Sequence, residues 1–319
     1  MTIRIYNRRT GQLETERVFQ RSFMQGVYGT ALGRASATLW WSRHGFSRLY
    51  GAWQRTGMSR RKIRRFVERY EIDCTELDRP IDAYASFDEF FQRRLKPAAR
   101  PIDSRYGTLI SPADARLMAY PIGDGLVLPV KGSQYSISRL SAGEASHDRC
   151  DGGWCLVFRL APVDYHRFCY IDDGDHDAHR RVPGRLHSVS PIALHHGVRV
   201  FHENQRNVVA LRTTAFGTVI EVDVGALAVG RILQHHESDH RFRRGAEKGV
   251  FAFGGSTVVL LFERDRVAVD HDILAHSRQG IETLVRYGEA IGLSCAPERK
   301  DDAESHNEAD VIGSHGSSR

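Results

Sequence analysis

The stretch Phe253-Gly254-Gly255-Ser256-Thr257-Val258-Val259-Leu260-Leu261-Phe262-Glu263 joins a glycine turn to an apolar run. Such a run, bounded by glycine on one side and charge on the other, reads as a buried strand. Glycines lack the side-chain bulk that closes much of backbone space, so a serine placed after two of them can bring its hydroxyl toward its own preceding carbonyl. Taken bare, the motif is an ordinary turn feeding a strand. It is not the nucleophile elbow of a hydrolase, which needs glycine two residues after the serine, where Val258 stands.

Outward from this strand, short β-like runs continue back to about Pro101, separated by Gly, Pro and Asp. They are Leu126 to Val130, Cys155 to Leu160, Val208 to Arg212, Thr218 to Val224 and Thr257 to Glu263. Helical periodicity returns at Ile281 to Ile291. Upstream, residues 1–78 read as helical. Within them Ser59 is placed to cap a helix carrying Ile63, Phe66, Val67 and Tyr70 on one face. Helices first and strands after give an α+β fold: a basic helical N-terminal region packed against a mostly antiparallel β body. The expected division is 1–78, 79–296 for the body with the site, and a disordered tail over 297–319, rich in Asp, Glu, Ser, His and Gly.

Charge is unevenly spread. Residues 1–65 hold 14 Arg or Lys and two acids, a net +12, so the rest carries −6 of the total +6. A basic arm of this kind binds an anionic surface, nucleic acid or lipid head groups. Trp40, Trp41 and Trp53 stand among its arginines, which suits a membrane interface and equally suits helices packed on the body. No apolar run approaches the ~20 residues that span a bilayer, and the N-terminus lacks the apolar stretch of a secretory signal. The expected location is therefore the cytoplasm or a membrane surface facing it. Five scattered cysteines do not form a disulfide framework, and Cys150 with Cys155 lacks the second pair of a zinc site. The histidines His195, His196, His202, His235, His236 and His240 show no recurring ligand spacing and read as solvated loop residues. No metal is expected, and there is no phosphate loop or dinucleotide fingerprint.

Two further elements carry chemistry. Val163-Asp164-Tyr165-His166-Arg167-Phe168 follows the strand-like run ending at Leu160, and Ser111-Pro112-Ala113-Asp114 is turn-like with one carboxylate. Singly, each has a bland structural reading; a lone Asp in a turn usually caps its own backbone. Together with Ser256 they supply an acid, an imidazole and a hydroxyl, the set that activates a serine.

These three motifs, in this order, resemble the phosphatidylserine decarboxylase family. So do Ser86-Phe87-Asp88-Glu89-Phe90-Phe91, Arg94-Leu95-Lys96-Pro97-Ala98-Ala99-Arg100-Pro101 and Lys131-Gly132-Ser133-Gln134-Tyr135-Ser136. His187-Ser188-Val189-Ser190-Pro191, Asn204, Arg206-Asn207, Val224-Gly225-Ala226, Lys248-Gly249 and Glu282-Thr283 complete the set. The resemblance runs from Ala85 to Gly292. It implies a self-cleaving proenzyme cut between Gly255 and Ser256, with the Met1–Gly255 and Ser256–Arg319 chains remaining associated. Ser256 would become a pyruvoyl group, a cofactor drawn from the chain itself, with no external cofactor. That group serves as an electron sink, as pyridoxal phosphate does elsewhere. The resemblance also gives Asp114 the task of orienting an imidazole and His166 that of handling protons near the reacting carbon.

One departure from the family pattern, Asp-Tyr-His-Arg-x-His, bears on the cleavage. The second histidine, usually assigned to self-cleavage, is Cys169 here, and a thiol with a free pKa near ~8.5 is a poor substitute. Two alternatives remain, His166 in both steps or His187 reaching in from the following segment, and His187 is expected to take part as a catalytic residue with Ser256, His166 and Asp114. The expected reaction is decarboxylation of phosphatidylserine to phosphatidylethanolamine. The basic arm would dock on an anionic phospholipid membrane, peripherally on the cytoplasmic side of the cell membrane, with no nucleic-acid partner. The alternatives are a relative that decarboxylates a soluble amino acid such as tryptophan, and an uncleaved, non-catalytic module that binds membrane or nucleic acid.

Overall fold

A computed structural model of the chain describes residues 3–16, 21–30, 33, 36, 44–123, 125–130, 133–189, 200–226, 231–254 and 256–295. Trp40, Trp41, His195, His196, Gly255 and the tail 297–319 lie outside the described residues.

Ser256–Phe262 is a strand with every residue buried. Val258, Leu260 and Phe262 join one apolar cluster with Leu117, Phe158 and Leu160; Val259 and Leu261 join a second with Cys155, Val157, Ile220 and Val222. Successive side chains of a strand point to opposite faces, and a strand covered on both must be apolar throughout, which is why this run reads without alternation.

The strand is central. It pairs antiparallel with Gly217–Gly225 on one side and with Trp154–Leu160 on the other. Beyond Gly217–Gly225 the sheet continues through Arg206–Thr213, Gly174–His176 and His240–Phe242, with Arg180–Val182 also on Arg206–Thr213. Beyond Trp154–Leu160 it continues through Ala115–Pro121, Glu282–Val285, Arg4–Asn7 and Gln12–Thr15. The contact of Arg4–Asn7 with Glu282–Val285 is parallel; the other pairings in this sheet are antiparallel. A smaller sheet of Ile232–Gln234, Glu247–Phe251 and Arg167–Cys169 lies beside it. The α+β class holds, with a mostly antiparallel body.

Three expectations are corrected. Residues 1–78 are not helical from the start: Arg4–Asn7 and Gln12–Thr15 form a hairpin at the sheet edge. Gly11 turns it at φ +67°, and Arg8 pairs with Asp270 (2.7 Å), Asp272 (2.7 Å) and Glu289 (3.2 Å). Those partners lie more than 250 positions away, beyond any local pattern. Residues 281–291 are two strands, Glu282–Val285 and the start of Ala290–Ser294, and not a helix. Gly288 breaks the run at φ +80°, and a Cβ there would lie 2.6 Å from Ile102 Cδ1, so glycine is required at the turn. The nearby helix is His271–Arg278. Ser59 is not an N-cap; the helix starts at Arg61 with no side-chain cap. Ser59 is buried, and its hydroxyl donates to Gln54 O (2.7 Å) and accepts from Phe87 N (2.8 Å).

The helices Arg21–Gly29, His44–Gln54 and Arg61–Tyr70 precede the short helix Phe87–Phe91. Ile63 and Phe66 are buried as the periodicity requires, in a cluster with Tyr84, Phe87, Phe90, Phe91 and Phe253. Tyr28 is buried, and its hydroxyl accepts from Ser188 N at 3.0 Å. These contacts pack the helical region on the body.

Candidate active site

Ser256 opens the central strand, opposite Gly225 on one neighbour and Leu160 on the other. Gly225 has no side chain to cover the serine. Leu160 ends its strand, and the chain turns at Ala161–Asp164: Asp164 N donates to Ala161 O (2.9 Å), and the Asp164 carboxylate accepts from Ala161 N (2.6 Å). Arg116 pairs with the same carboxylate. The turn returns His166 to the strand end, where its Nδ1 lies 3.5 Å from Ser256 Oγ. That is long for a hydrogen bond, as catalytic contacts often are before the reacting geometry closes. Both residues are fully buried.

Two contacts hold His166. Its ring stacks on Phe91, centroids 3.9 Å apart. Its carbonyl accepts from Phe251 N at 2.9 Å. Its Nε2 is buried with no hydrogen-bond partner among the described residues. Burial, then the nearby Arg93 guanidinium, pushes its pKa well below the usual imidazole value, while the carbonyls of Ala161 and Pro162 oppose this. At neutral pH His166 is therefore a neutral base. Arg93 is buried and donates to Val163 O and Asp164 O (2.9 and 2.8 Å).

The other expected residues are placed differently. The Asp114 carboxylate takes Nε and Nη2 of Arg100 (2.8 and 2.7 Å) and Tyr287 N (2.9 Å), and no hydrogen bond joins it to His166. Cys169 is buried, with Sγ 3.9 Å from Ser111 O, and burial pushes its thiol pKa up. It remains a neutral thiol. His187 is buried, 3.4 Å from the Glu203 carboxylate, and its pKa is lowered by burial. Asn204 clamps the His187 backbone, accepting from its N–H (3.0 Å) and donating to its C=O (2.8 Å), and reaches Gly225 O at 2.8 Å. The structure thus brings Ser256 and His166 together, and leaves Asp114 and Cys169 with other partners and the His187 ring beside Glu203.

Residues 87–293 match the family model described as phosphatidylserine decarboxylase. The chain belongs to the phosphatidylserine decarboxylase family. Its similarity to curated members extends over nearly its whole length. It is 38% identical over 291 residues to the phosphatidylserine decarboxylase proenzyme of Clostridium perfringens, covering 91% of this chain and 99% of that one. It is 40% identical over 298 residues to the proenzyme of Ruminiclostridium cellulolyticum, covering 93% and 99%. It is also 40% identical over 292 residues to phosphatidylserine decarboxylase proenzyme 2 of Clostridium acetobutylicum, covering 92% and 99%. This decarboxylase family member has, among its described residues, no helix long and apolar enough to cross a membrane and no group of three or more potential metal ligands.

Residue-by-residue reading did not single out Arg93, Phe91 or Asp88. Phe91 and Asp88 lie in Ser86–Phe91, one of the stretches that carries the resemblance, but their roles depend on contacts with residues 75 or more positions away.

Proposed function

We propose that this decarboxylase converts phosphatidylserine to phosphatidylethanolamine through a pyruvoyl group made from Ser256 by self-cleavage at Gly255–Ser256. One observation carries the reading: a fully buried serine, two residues past Gly254 at φ +134°, has its hydroxyl 3.5 Å from a buried neutral imidazole. His166 Nδ1 accepts the Ser256 proton as Oγ attacks the Gly255 carbonyl carbon. The Ser256 amide nitrogen leaves as an amine, and the peptide becomes an ester. Loss of the Ser256 α-proton then expels Gly255 as a carboxylate, and water releases ammonia from the new N-terminus.

The residues around Ser256 fit a pyruvoyl group: Ser256 and His166 are buried, and His166 Nε2 has no hydrogen-bond partner among the described residues. Such a group supplies an electron sink for the electrons that departing CO2 leaves behind. His166 stays beside it to hold and return a proton, so one imidazole serves both steps. The two product chains stay together because Ser256–Phe262 remains paired on both edges and covered on both faces.

The substrate surface is a membrane, approached from its cytoplasmic side. Leu49, Trp53 and Met58 are exposed on the helix His44–Gln54 and the turn after it. They adjoin Arg60, Arg61, Arg64 and Arg65, all exposed. Lys62 Nζ lies 3.4 Å over the Trp53 ring. Apolar tips beside guanidiniums match an anionic interface.

The deciding experiment is the intact mass of the purified protein beside Ser256→Ala, followed by phosphatidylserine turnover in anionic vesicles. Two fragments meeting at 255/256, an uncut variant and ethanolamine-lipid product support the reading. A single full-length chain in both samples defeats it.

A further inference from the structure

The helix Phe87–Phe91 touches both halves of the site. It is fixed at its start: Ser86 Oγ accepts from Glu89 N (3.2 Å), and Glu89 Oε2 accepts from Ala85 N (2.6 Å). Phe91 stacks on His166, while Phe87 and Phe91 pack edge-on against Phe253, centroids 5.3 and 4.9 Å apart.

Asp88, on the same helix, reaches the loop that carries the cleavage motif. Its Oδ1 accepts from Phe253 N at 3.3 Å, and its Oδ2 accepts from Gln92 Nε2 at 2.9 Å. The two preceding amides of the loop are held by backbone: Phe251 N by His166 O (2.9 Å) and Ala252 N by Arg231 O (3.1 Å). The third, Phe253 N, is held by a side chain. Immediately after it comes Gly254 at φ +134°, and Ser256 then enters the strand.

We infer that Asp88 is a positioning residue for self-cleavage, one that anchors the Phe253 amide and so sets the path of the chain through Gly254 into the scissile bond. The inference rests on the reading of Ser256 as the self-cleaving nucleophile. Attack on a neighbouring carbonyl succeeds from a narrow set of backbone conformers. An amide released from Asp88 lets the loop leave that set while the paired strand stays in place. The task needs an acceptor oxygen and not a charge. Burial raises the Asp88 pKa while Arg55 and Arg231 oppose this, and an acceptor oxygen is present in either protonation state.

The test is the rate at which full-length precursor, made by cell-free translation, yields the 1–255 and 256–319 fragments. Wild type, Asp88→Ala, Asp88→Asn and Ser256→Ala are compared, with thermal unfolding of each. Asp88→Ala is expected to mature about tenfold more slowly or worse, and Asp88→Asn within about twofold of wild type, since Asn keeps the acceptor. Maturation of Asp88→Ala at the wild-type rate overturns the inference, and so does Asp88→Asn as slow as Asp88→Ala. The Asn variant is near-isosteric, so its recovery separates loop anchoring from a general folding defect. A wild-type chain that stays whole, like Ser256→Ala, is the distinct result that defeats the underlying reading.

Discussion

Phe91 and His166 lie face to face, ring centroids 3.9 Å apart and planes 23° from parallel. The phenyl ring closes one face of the imidazole to water. Burial first, and then the nearby Arg93, favour the neutral base, and among the described residues no carboxylate is hydrogen-bonded to the ring. An Asp–His pair would favour the cation instead. The site therefore has a base poised to take the Ser256 proton, in a setting that disfavours early protonation.

His166→Ala is expected to leave the precursor whole, as Ser256→Ala does. Cys169→Ala and His187→Ala are expected to yield both fragments, because Sγ lies against Ser111 O and the His187 ring beside Glu203. Fragment mass after expression of each variant is the measurement. Loss of cleavage in His187→Ala with the fold intact would reassign the base.

The pH profile follows from the same environment. A histidine with its pKa lowered from 6.5 is mostly unprotonated at pH 6.5, so cleavage is expected to hold its plateau from pH 8 through 6.5 and to fall only further into acid. A rate halved at pH 6.5 in timed maturation would show an ordinary, solvated imidazole. Stability moves in the same sense: the unfolded chain binds the proton first, so His166 contributes to loss of stability as pH drops below the unfolded value toward the folded one.

Phe91→Ala removes the lid on His166 and a packing partner of Phe253. A cost of ~3–5 kcal/mol is expected from the lost burial and residual cavity, read as a shifted denaturant midpoint. Phe91→Leu keeps more of the volume and is expected to cost less, yet it lacks the flat ring. Its cleavage plateau should move with the imidazole pKa. A plateau identical to wild type would show that the stacking has no electrostatic consequence.

Lys248 is fully buried, 2.8 Å from Asp223 and 3.2 Å from Glu221. Burial pushes the Glu221 carboxyl up, and the Lys248 charge pulls it back. Lys248→Met leaves two buried carboxylates without their cation, and a loss of ~3–5 kcal/mol is expected near neutral pH. The deficit should shrink as pH falls, because protonation then removes the uncompensated charge. Urea unfolding at two pH values checks both the size and the sign.

The β-runs legible in the sequence are those whose side chains are buried on both faces or whose ends are marked by glycine. Trp154–Leu160, Gly217–Gly225 and Ser256–Phe262 were found within a residue or so at each end. Arg4–Asn7 and Glu282–Val285 were missed: they pair with each other across almost the whole length of the chain, and Glu282–Val285 also pairs with the distant Ala115–Pro121, so no local pattern marks the join. For the site, Ser256 and His166 had bland local readings and were named, with Asp114 and His187, only from the motifs taken together and the resemblance they carry. Arg93 and Asp88 were not singled out, because what each holds, the turn beside His166 and the Phe253 amide, lies far along the chain.

By itself, the sequence determined the α+β class, the decarboxylase family and the two residues that meet at the strand end. Each of these is written in local pattern or in motifs that keep their order. Tertiary structure alone decided which partner each charge takes: Asp114 goes to Arg100, Asp88 to the Phe253 amide, and Arg93 to the turn beside His166. A carboxylate or guanidinium pairs with whatever the fold brings within about 3 Å. Neighbours along the chain do not specify that distance.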